Sequence, residues 1–98
     1  MNLRKLARGK PCMVRIPQHC NRHWDTTVMT HYRMAGYSGV GDKPDDWAFG
    51  AWACSSCHDV VDGRTETEHD RAAVRLMHAE GCLRTQAELR KMKKAGEI

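Results

Sequence analysis

Polar and apolar positions along the first half of the chain follow the short-period pattern of β-strands. β-branched and aromatic residues are dense in TTVMTHYR (26–33) and in WAFGAWA (47–53), and both stretches predict strands, with a bulge at Gly50. MVRI (13–16) predicts a third, shorter strand. The stretch 35–46 carries three glycines and a proline, which is typical of a loop.

The second half of the chain has the longer spacing of helices. CSSCHDVVDGR (54–64) is typical of a knuckle that opens a short helix, which Gly63 would end. Two Thr-x-x-Glu spacings resemble capping boxes, and they predict two further helices separated by Gly81, over about 66–80 and about 85–96. The order of these elements indicates an α+β fold.

The length of the chain limits how much core it can bury. At 98 residues we expect a single domain spanning 1–98, with a core over about 10–65 and closing helices over about 66–96. A chain of this size buries only about two thirds of the surface that its unfolded form exposes, so a staple such as disulfides or a metal is expected. The five cysteines are the candidates.

Four of these cysteines have the spacing of a structural zinc site. Cys12 and Cys20 form a C-x7-C pair, and Cys54 and Cys57 form a C-x2-C pair. Two cysteine pairs separated by a longer stretch of chain are the usual layout of a tetrahedral four-cysteine zinc site. The first spacing is looser than usual, and the alternative is four ordinary buried thiols. Cys82 stands alone in a helical context, which predicts a small core residue.

The N-terminal segment predicts a cytoplasmic protein. MNLRKLARGK is charged and has no apolar run of signal-peptide length, and no stretch of the chain approaches the roughly 20 apolar residues of a membrane span. Thiols stay reduced in the cytoplasm, so a cysteine cluster there more often binds a metal than forms disulfides.

The stretch CSSCHDVVD (54–62) also contains donors beyond the cysteines. C-x-x-C-H is the attachment signature of c-type haem, but haem attachment is extracytoplasmic and would leave the first cysteine pair without a role, so we expect no haem. In a helix, His58 and Asp62 share one face. A filled four-cysteine site has no open position, so this stretch favours a second ion near His58 and Asp62. The alternative is that His58 only orients a zinc ligand.

A histidine on the predicted strand 26–33 suits catalysis. Imidazole and carboxylate ligands with open positions fit a hard divalent ion, such as Mg²⁺ or Mn²⁺, that binds phosphate. Hydrolysis of a phosphodiester also needs a base, and histidines titrate near neutral pH, which makes His31 the best candidate. A strand with a histidine, a second strand and a helix with a metal-binding histidine form a ββα-metal arrangement.

Basic residues are concentrated at the ends of the chain. The net charge is +4, yet residues 1–15 carry five bases and no acid, and residues 42–70 carry eight acids and two bases. This distribution suits a DNA-binding protein with a cation site at its centre, although terminal charges also serve solubility alone. The candidate DNA contacts are Arg4, Lys5 and Arg8 on a predicted helical turn (3–8), Lys10 just after it, and Arg33 at the end of the predicted strand 26–33.

Three segments of the chain resemble a known nuclease family. They are RKLARGKPCMVRIPQHCN, TTVMTHYRMAGYSGVGDKPDD and ACSSCHDVVDGRT, within about residues 4–65. Their layout resembles HNH endonucleases with a zinc-braced ββα-metal core, and more closely the YbcO-like nucleases of lambdoid prophages. The resemblance implies a metal-dependent DNA endonuclease of a bacterial host cell, with His31 as the general base and His58 as a ligand of the catalytic ion.

The chain departs from the HNH pattern at specific positions. Thr30 stands where many HNH enzymes have a metal-binding Asp or His, and the middle Asn is missing. Asp62 stands where many have a further His or Asn, and Asp46, or its neighbour Asp45, could replace one of the missing ion ligands. The alternative function is a non-catalytic zinc module that binds nucleic acid or a phage protein partner. Both functions require the four cysteines, but only the nuclease requires His31, His58 and Asp62.

Overall fold

The fold is taken from a computed structural model, which describes residues 2–34, Gly36 and 45–98. The described part of the chain is a small α+β structure with a two-stranded sheet. Its elements in chain order are α1 (Leu3–Leu6), a 3₁₀ turn (Trp24–Thr26), β1 (Val28–His31), α2 (Asp46–Phe49), β2 (Gly50–Ala53), α3 (Ser55–Val61) and α4 (Arg71–Lys94). Most of the predicted loop, 35 and 37–44, lies outside the described residues.

The two strands are antiparallel, and their register places His31 at the edge where β2 begins. Val28 lies opposite Ala53, and His31 lies opposite Gly50. All four residues of β2 are buried, because α1 and α4 side chains cover this strand. The predicted strand over 26–33 is confirmed, although it is shorter than the pattern suggested.

The predicted strand over 47–53 is wrong in its first half, where α2 forms instead. The Asp45 carboxylate caps this short helix by accepting hydrogen bonds from the backbone N–H groups of Trp47 and Ala48, at 2.7 and 3.3 Å. Gly50 begins β2 rather than forming a bulge. A Cβ at this position would come within 2.5 Å of the Asp46 carbonyl oxygen and would also press on the Met29 side chain, so the turn from α2 into β2 requires glycine.

The predicted strand over 13–16 is also wrong. Met13 makes one strand-like bond, from its backbone N–H to the Trp52 carbonyl at 2.7 Å. Arg15 then takes a left-handed conformation, with φ of 54°, which ends any extended run. The Arg84 guanidinium donates to the Met13 carbonyl at 2.7 Å and holds this segment against α4.

A single long helix replaces the two predicted closing helices. Asp70 caps α4, accepting a hydrogen bond from the Ala73 backbone N–H at 2.7 Å. Gly81 lies inside the helix, where a Cβ would come within 2.9 Å of the Val14 side chain. Thr85 does not cap a helix either, since its hydroxyl donates to the Gly81 carbonyl at 2.8 Å. No helix in the described part of the chain is long and apolar enough to cross a membrane.

The core has two parts, one on each side of β2. One part packs α1 against Trp52 and the C-terminal half of α4. The other contains Ala51, Ala53, the buried valines of α3 and α4, and the cysteines. The cysteines of the N-terminal segment and those at the start of α3 meet in this part of the core, so they can join the two segments.

Candidate metal centre and the adjacent histidines

The four cysteines predicted to bind zinc converge in the structure. The Sγ atoms of Cys12, Cys20, Cys54 and Cys57 all lie within 4.8 Å of one another, and none of the four forms a disulfide. Tetrahedral zinc with Zn–S distances of about 2.3 Å places its sulfurs about 3.8 Å apart, and the Sγ atoms of Cys20 and Cys54 are 4.0 Å apart. The spacing and the donor set therefore fit a four-coordinate metal ion.

The backbone around these cysteines points donors at the sulfurs. The N–H groups of Arg15 and Ile16 lie 3.4 Å from the Sγ atoms of Cys12 and Cys57, and the N–H of Cys57 lies 3.5 Å from the Sγ of Cys54. Arg15 reaches its position through its left-handed backbone conformation. Such N–H donors stabilise thiolates, which is the protonation state that a metal requires.

Without a metal, the thiols of the four cysteines differ in pKa. The hydrogen bond between Cys12 and Cys57 lowers the pKa of Cys12 to about 5. The same bond, together with burial, raises the pKa of Cys57. Burial also raises the pKa of Cys20 to about 11. A metal ion would displace the remaining protons, so its affinity should fall at low pH.

His31 forms a close pair with Asp46 at the edge of the sheet. The Nε2 atom of His31 lies 2.5 Å from Oδ1 of Asp46, and Nε of Arg4 on α1 lies 3.4 Å from the same oxygen. Burial raises the pKa of the Asp46 carboxyl, but the hydrogen bond with His31 and the charge of Arg4 outweigh it, so the pKa lies below its ordinary value. The carboxylate is therefore ionised at neutral pH.

His58 and Asp62 form a second pair, on one face of α3. His58 Nε2 lies 3.0 Å from Asp62 Oδ2, and Nη1 of Arg64 lies 3.0 Å from the same oxygen. Asp46 does not join this pair, because its carboxylate is bonded to His31 and Arg4. Within residues 2–34, 36 and 45–98, the cysteine cluster alone brings three or more possible ligand atoms together.

His78 is a buried residue that the sequence pattern did not single out. It lies on α4, and its Nε2 lies 3.1 Å from the Thr30 carbonyl at the end of β1. Burial lowers the pKa of His78, while the charges of Asp62 and His58 also act on it. The helical spacing of His78 with the buried Val74 and Cys82 was the signal that could have revealed its position.

Of the predicted DNA contacts, Arg4 is bonded to the His31–Asp46 pair. Arg4, Lys5 and Arg8 are exposed, and they line a shallow depression beside the start of β1. The ammonium of Lys10 instead lies 6.0 Å from the centre of the Trp52 ring. Arg33 is exposed beyond the end of β1. The structure thus places α1 as the basic element next to the His31–Asp46 pair.

Comparisons with known proteins assign the chain to a family. The family model described as "Putative nuclease YbcO" matches residues 1–94. Two similar proteins carry that same description, one from Escherichia coli K12 and one from Enterobacteria phage 82, and each is 45% identical over 87% of this chain and 86% of its own length. A solved structure of a "putative bacteriophage protein" from Escherichia coli K-12 covers 97% of this chain and 100% of its own, with a TM-score of 0.74 and 39% identity. The chain therefore belongs to the YbcO family.

Proposed function

We propose that the protein is a metal-dependent DNA endonuclease with an HNH-type ββα-metal core and a structural zinc ion. The observation that carries the proposal is the His31–Asp46 pair beside the basic helix α1, in a chain whose relatives are described as nucleases. The order β1, β2 and α3, with His31 on the first strand and His58 on the helix, is the order that a ββα-metal site needs.

Zinc at the four cysteines would hold this core together. Cys54 and Cys57 lie at the start of α3, directly after β2, while Cys12 and Cys20 belong to the N-terminal segment. A metal there would fix the angle between the sheet and α3. It would thereby set the position of His58 relative to His31, which the small apolar core alone holds less firmly.

The catalytic ion would bind at the exposed pair on α3. His58 and Asp62 offer one imidazole nitrogen and one carboxylate, and a hard ion that keeps several waters and a phosphate oxygen needs few protein ligands. Mg²⁺ or Mn²⁺ bound there would stabilise the charge on the phosphate and on the leaving oxygen. The Arg64 guanidinium bonds to the same Asp62 oxygen, so on binding of the ion it would either leave this oxygen or stay beside the ion.

His31 would act as the general base. A neutral imidazole has one N–H and one lone pair, so a hydrogen bond from Nε2 to the Asp46 carboxylate leaves the lone pair on Nδ1. Nδ1 would then accept a proton from the attacking water as the water oxygen bonds to phosphorus and the P–O bond to the leaving oxygen breaks, and the leaving oxygen would take a proton from solvent. We therefore propose that Asp46 orients His31, rather than serving as the ion ligand that the sequence suggested.

The test is cleavage of supercoiled plasmid with added Mg²⁺ or Mn²⁺. We expect wild type to nick the plasmid and His31→Ala to lose at least about a hundredfold in rate, which is the usual contribution of a general base. His23→Ala is the matched control, because His23 is exposed and lies outside both histidine pairs. Equal cleavage by His31→Ala and wild type would refute the role of His31.

A non-catalytic zinc module that binds DNA is the second candidate. It is favoured by the observation that His58 and Asp62 have no third ligand atom beside them among the described residues. In that case the wild-type protein should bind DNA and take up one metal ion per chain, without cutting any substrate.

A further inference from the structure

Among residues 2–34, 36 and 45–98, one large aromatic side chain is exposed, and it lies next to the proposed active site. The Trp47 side chain is 41% exposed, whereas Trp52 is 2% exposed. Trp47 directly follows Asp46, the partner of His31. An indole at such a position contributes little to the core, and part of its surface is open to a ligand, which would replace the Lys93 ammonium wherever it stacks on the ring face that this ammonium covers.

Two basic residues of α4 lie beside Trp47, although Asp45 and Asp46 directly precede it in the chain. A shallow depression beside it is lined by Trp47, Ala48, Gln86 and Arg90, and no carboxylate is among these four residues. The ammonium of Lys93 lies 5.5 Å from the centre of the indole ring. Both basic residues belong to the last turns of α4 and are exposed. We call the group Trp47, Arg90 and Lys93 the Trp47 platform.

The backbone beneath the platform is fixed from several directions. Asp45 caps α2 at the backbone N–H of Trp47, and the Gln86 amide donates to the Ala48 carbonyl at 2.7 Å. The Cys82 thiol lies 3.3 Å from the Phe49 carbonyl. A rigid aromatic group binds a planar ligand with a smaller entropic cost than a mobile one.

The platform and α1 both adjoin Asp46, the partner of His31. Arg4 of α1 contacts the Asp46 carboxylate, and Trp47 follows Asp46 on the same short helix. A nucleic-acid strand that reaches His31 would therefore meet basic groups from α1 and from the end of α4.

We propose that the Trp47 platform binds an unpaired nucleotide, with the base stacked on the indole and its phosphates held by Arg90 and Lys93. Successive bases stack on aromatic side chains in proteins that bind single strands, whereas a duplex hides the faces of its bases. This inference rests on the proposed function, and it names the substrate class: DNA with a single-stranded or unstacked nucleotide near the bond to be cut. Phosphate contacts alone would not need an exposed indole.

Binding can be measured separately from cleavage in the His31→Ala protein. Fluorescence anisotropy would compare a labelled single strand, the matching duplex and a duplex with an unpaired bulge, in that protein and in the double variants with Trp47→Ala, Trp47→Phe or Leu83→Ala. We expect Trp47→Ala to weaken binding of the single strand and the bulged duplex about tenfold, which is within the range of one base–aromatic stack, and to leave duplex binding unchanged. Trp47→Phe should restore most of the affinity.

Leu83→Ala is the matched control, because Leu83 is a 64% exposed apolar residue on α4 outside the platform. A second measurement leaves Trp47 in place: the single strand should shield the exposed indole from acrylamide quenching, and the duplex should not. Equal losses for duplex and single strand, no loss with Trp47→Ala, or unchanged quenching would each overturn the platform.

The two proposals fail in different ways. If binding depends on Trp47 as expected but wild type cuts no DNA, the nuclease is refuted and the platform stands. If wild type cuts DNA and Trp47→Ala binds and cuts every substrate as wild type does, the platform is refuted and the nuclease stands.

Discussion

Replacing Cys54 with serine should unfold the protein. Cys54 is fully buried, its sulfur lies 4.0 Å from that of Cys20, and it also caps α3 at the backbone N–H of Cys57. A structural zinc ion contributes about 10–16 kcal/mol in zinc-dependent peptides, whereas whole domains are typically stable by about 5–15 kcal/mol. Loss of one sulfur ligand should therefore remove most or all of the stability of this small domain.

Cys82→Ser is the matched control for this change. Cys82 is also buried, but it lies outside the metal cluster, and its thiol lies within hydrogen-bond distance of the Phe49 carbonyl, which a serine hydroxyl can also reach. We expect this variant to lose only about 1 kcal/mol. The comparison needs two measurements on wild type and both variants: the metal content per chain and the thermal unfolding curve by circular dichroism.

The two variants should behave differently toward a chelator. Wild type and Cys82→Ser should contain one zinc per chain and should lose their cooperative unfolding transition when a strong chelator is added. Cys54→Ser should lack the transition from the start. If Cys54→Ser melts at the temperature of Cys82→Ser, and the chelator changes neither, the four cysteines are ordinary core residues and the reasoning is refuted.

Two further substitutions test the fold and the histidine pair. Thr85→Val should lower the free energy of unfolding, measured in urea, by about 1–3 kcal/mol. The buried backbone N–H of Trp52 lies 3.0 Å from the Thr85 hydroxyl, and valine would leave it without a partner. Thr85→Ser should recover most of this loss. Asp46→Asn should lower the melting temperature at neutral pH. The pKa of the Asp46 carboxyl is lower in the folded protein than in the unfolded chain, where it is about 4, so the carboxylate stabilises the fold at pH values above about 4. The difference between wild type and Asp46→Asn should vanish as the pH falls through the lower pKa of the folded protein. A difference that persists in acid would contradict the stabilising contacts of the Asp46 carboxylate with His31 and Arg4.

The cysteine centre could be predicted because its signal is local in the sequence. The C-x2-C spacing places Cys54 and Cys57 at the start of a short helix, and Gly63 ends that helix in a left-handed conformation, with φ of 77°. The strand that carries His31 was also predictable, since its β-branched residues are dense. The strand and each cysteine pair depend on residues that are close in the chain, although the two pairs meet only in the fold.

The features that the sequence missed depend on contacts between distant segments. Gly81 appeared to end a helix, but it is needed where α4 passes Val14, and α4 continues because its other residues favour helix. His78 is buried because the end of β1 offers the Thr30 carbonyl as a partner. The contact between Asp46 and His31 could not be predicted, because it depends on the turn into α2, which the strand-like composition of WAFGAWA concealed.

The central claim is that His31 supplies the base in a DNA-cutting site. The most direct test is chemical rescue in the plasmid assay with Mg²⁺ or Mn²⁺: His31→Ala should be inactive, and added imidazole should restore part of the cleavage by taking the place of the missing side chain. Plasmid cleavage by His31→Ala at the wild-type rate, with no response to imidazole, would contradict the claim.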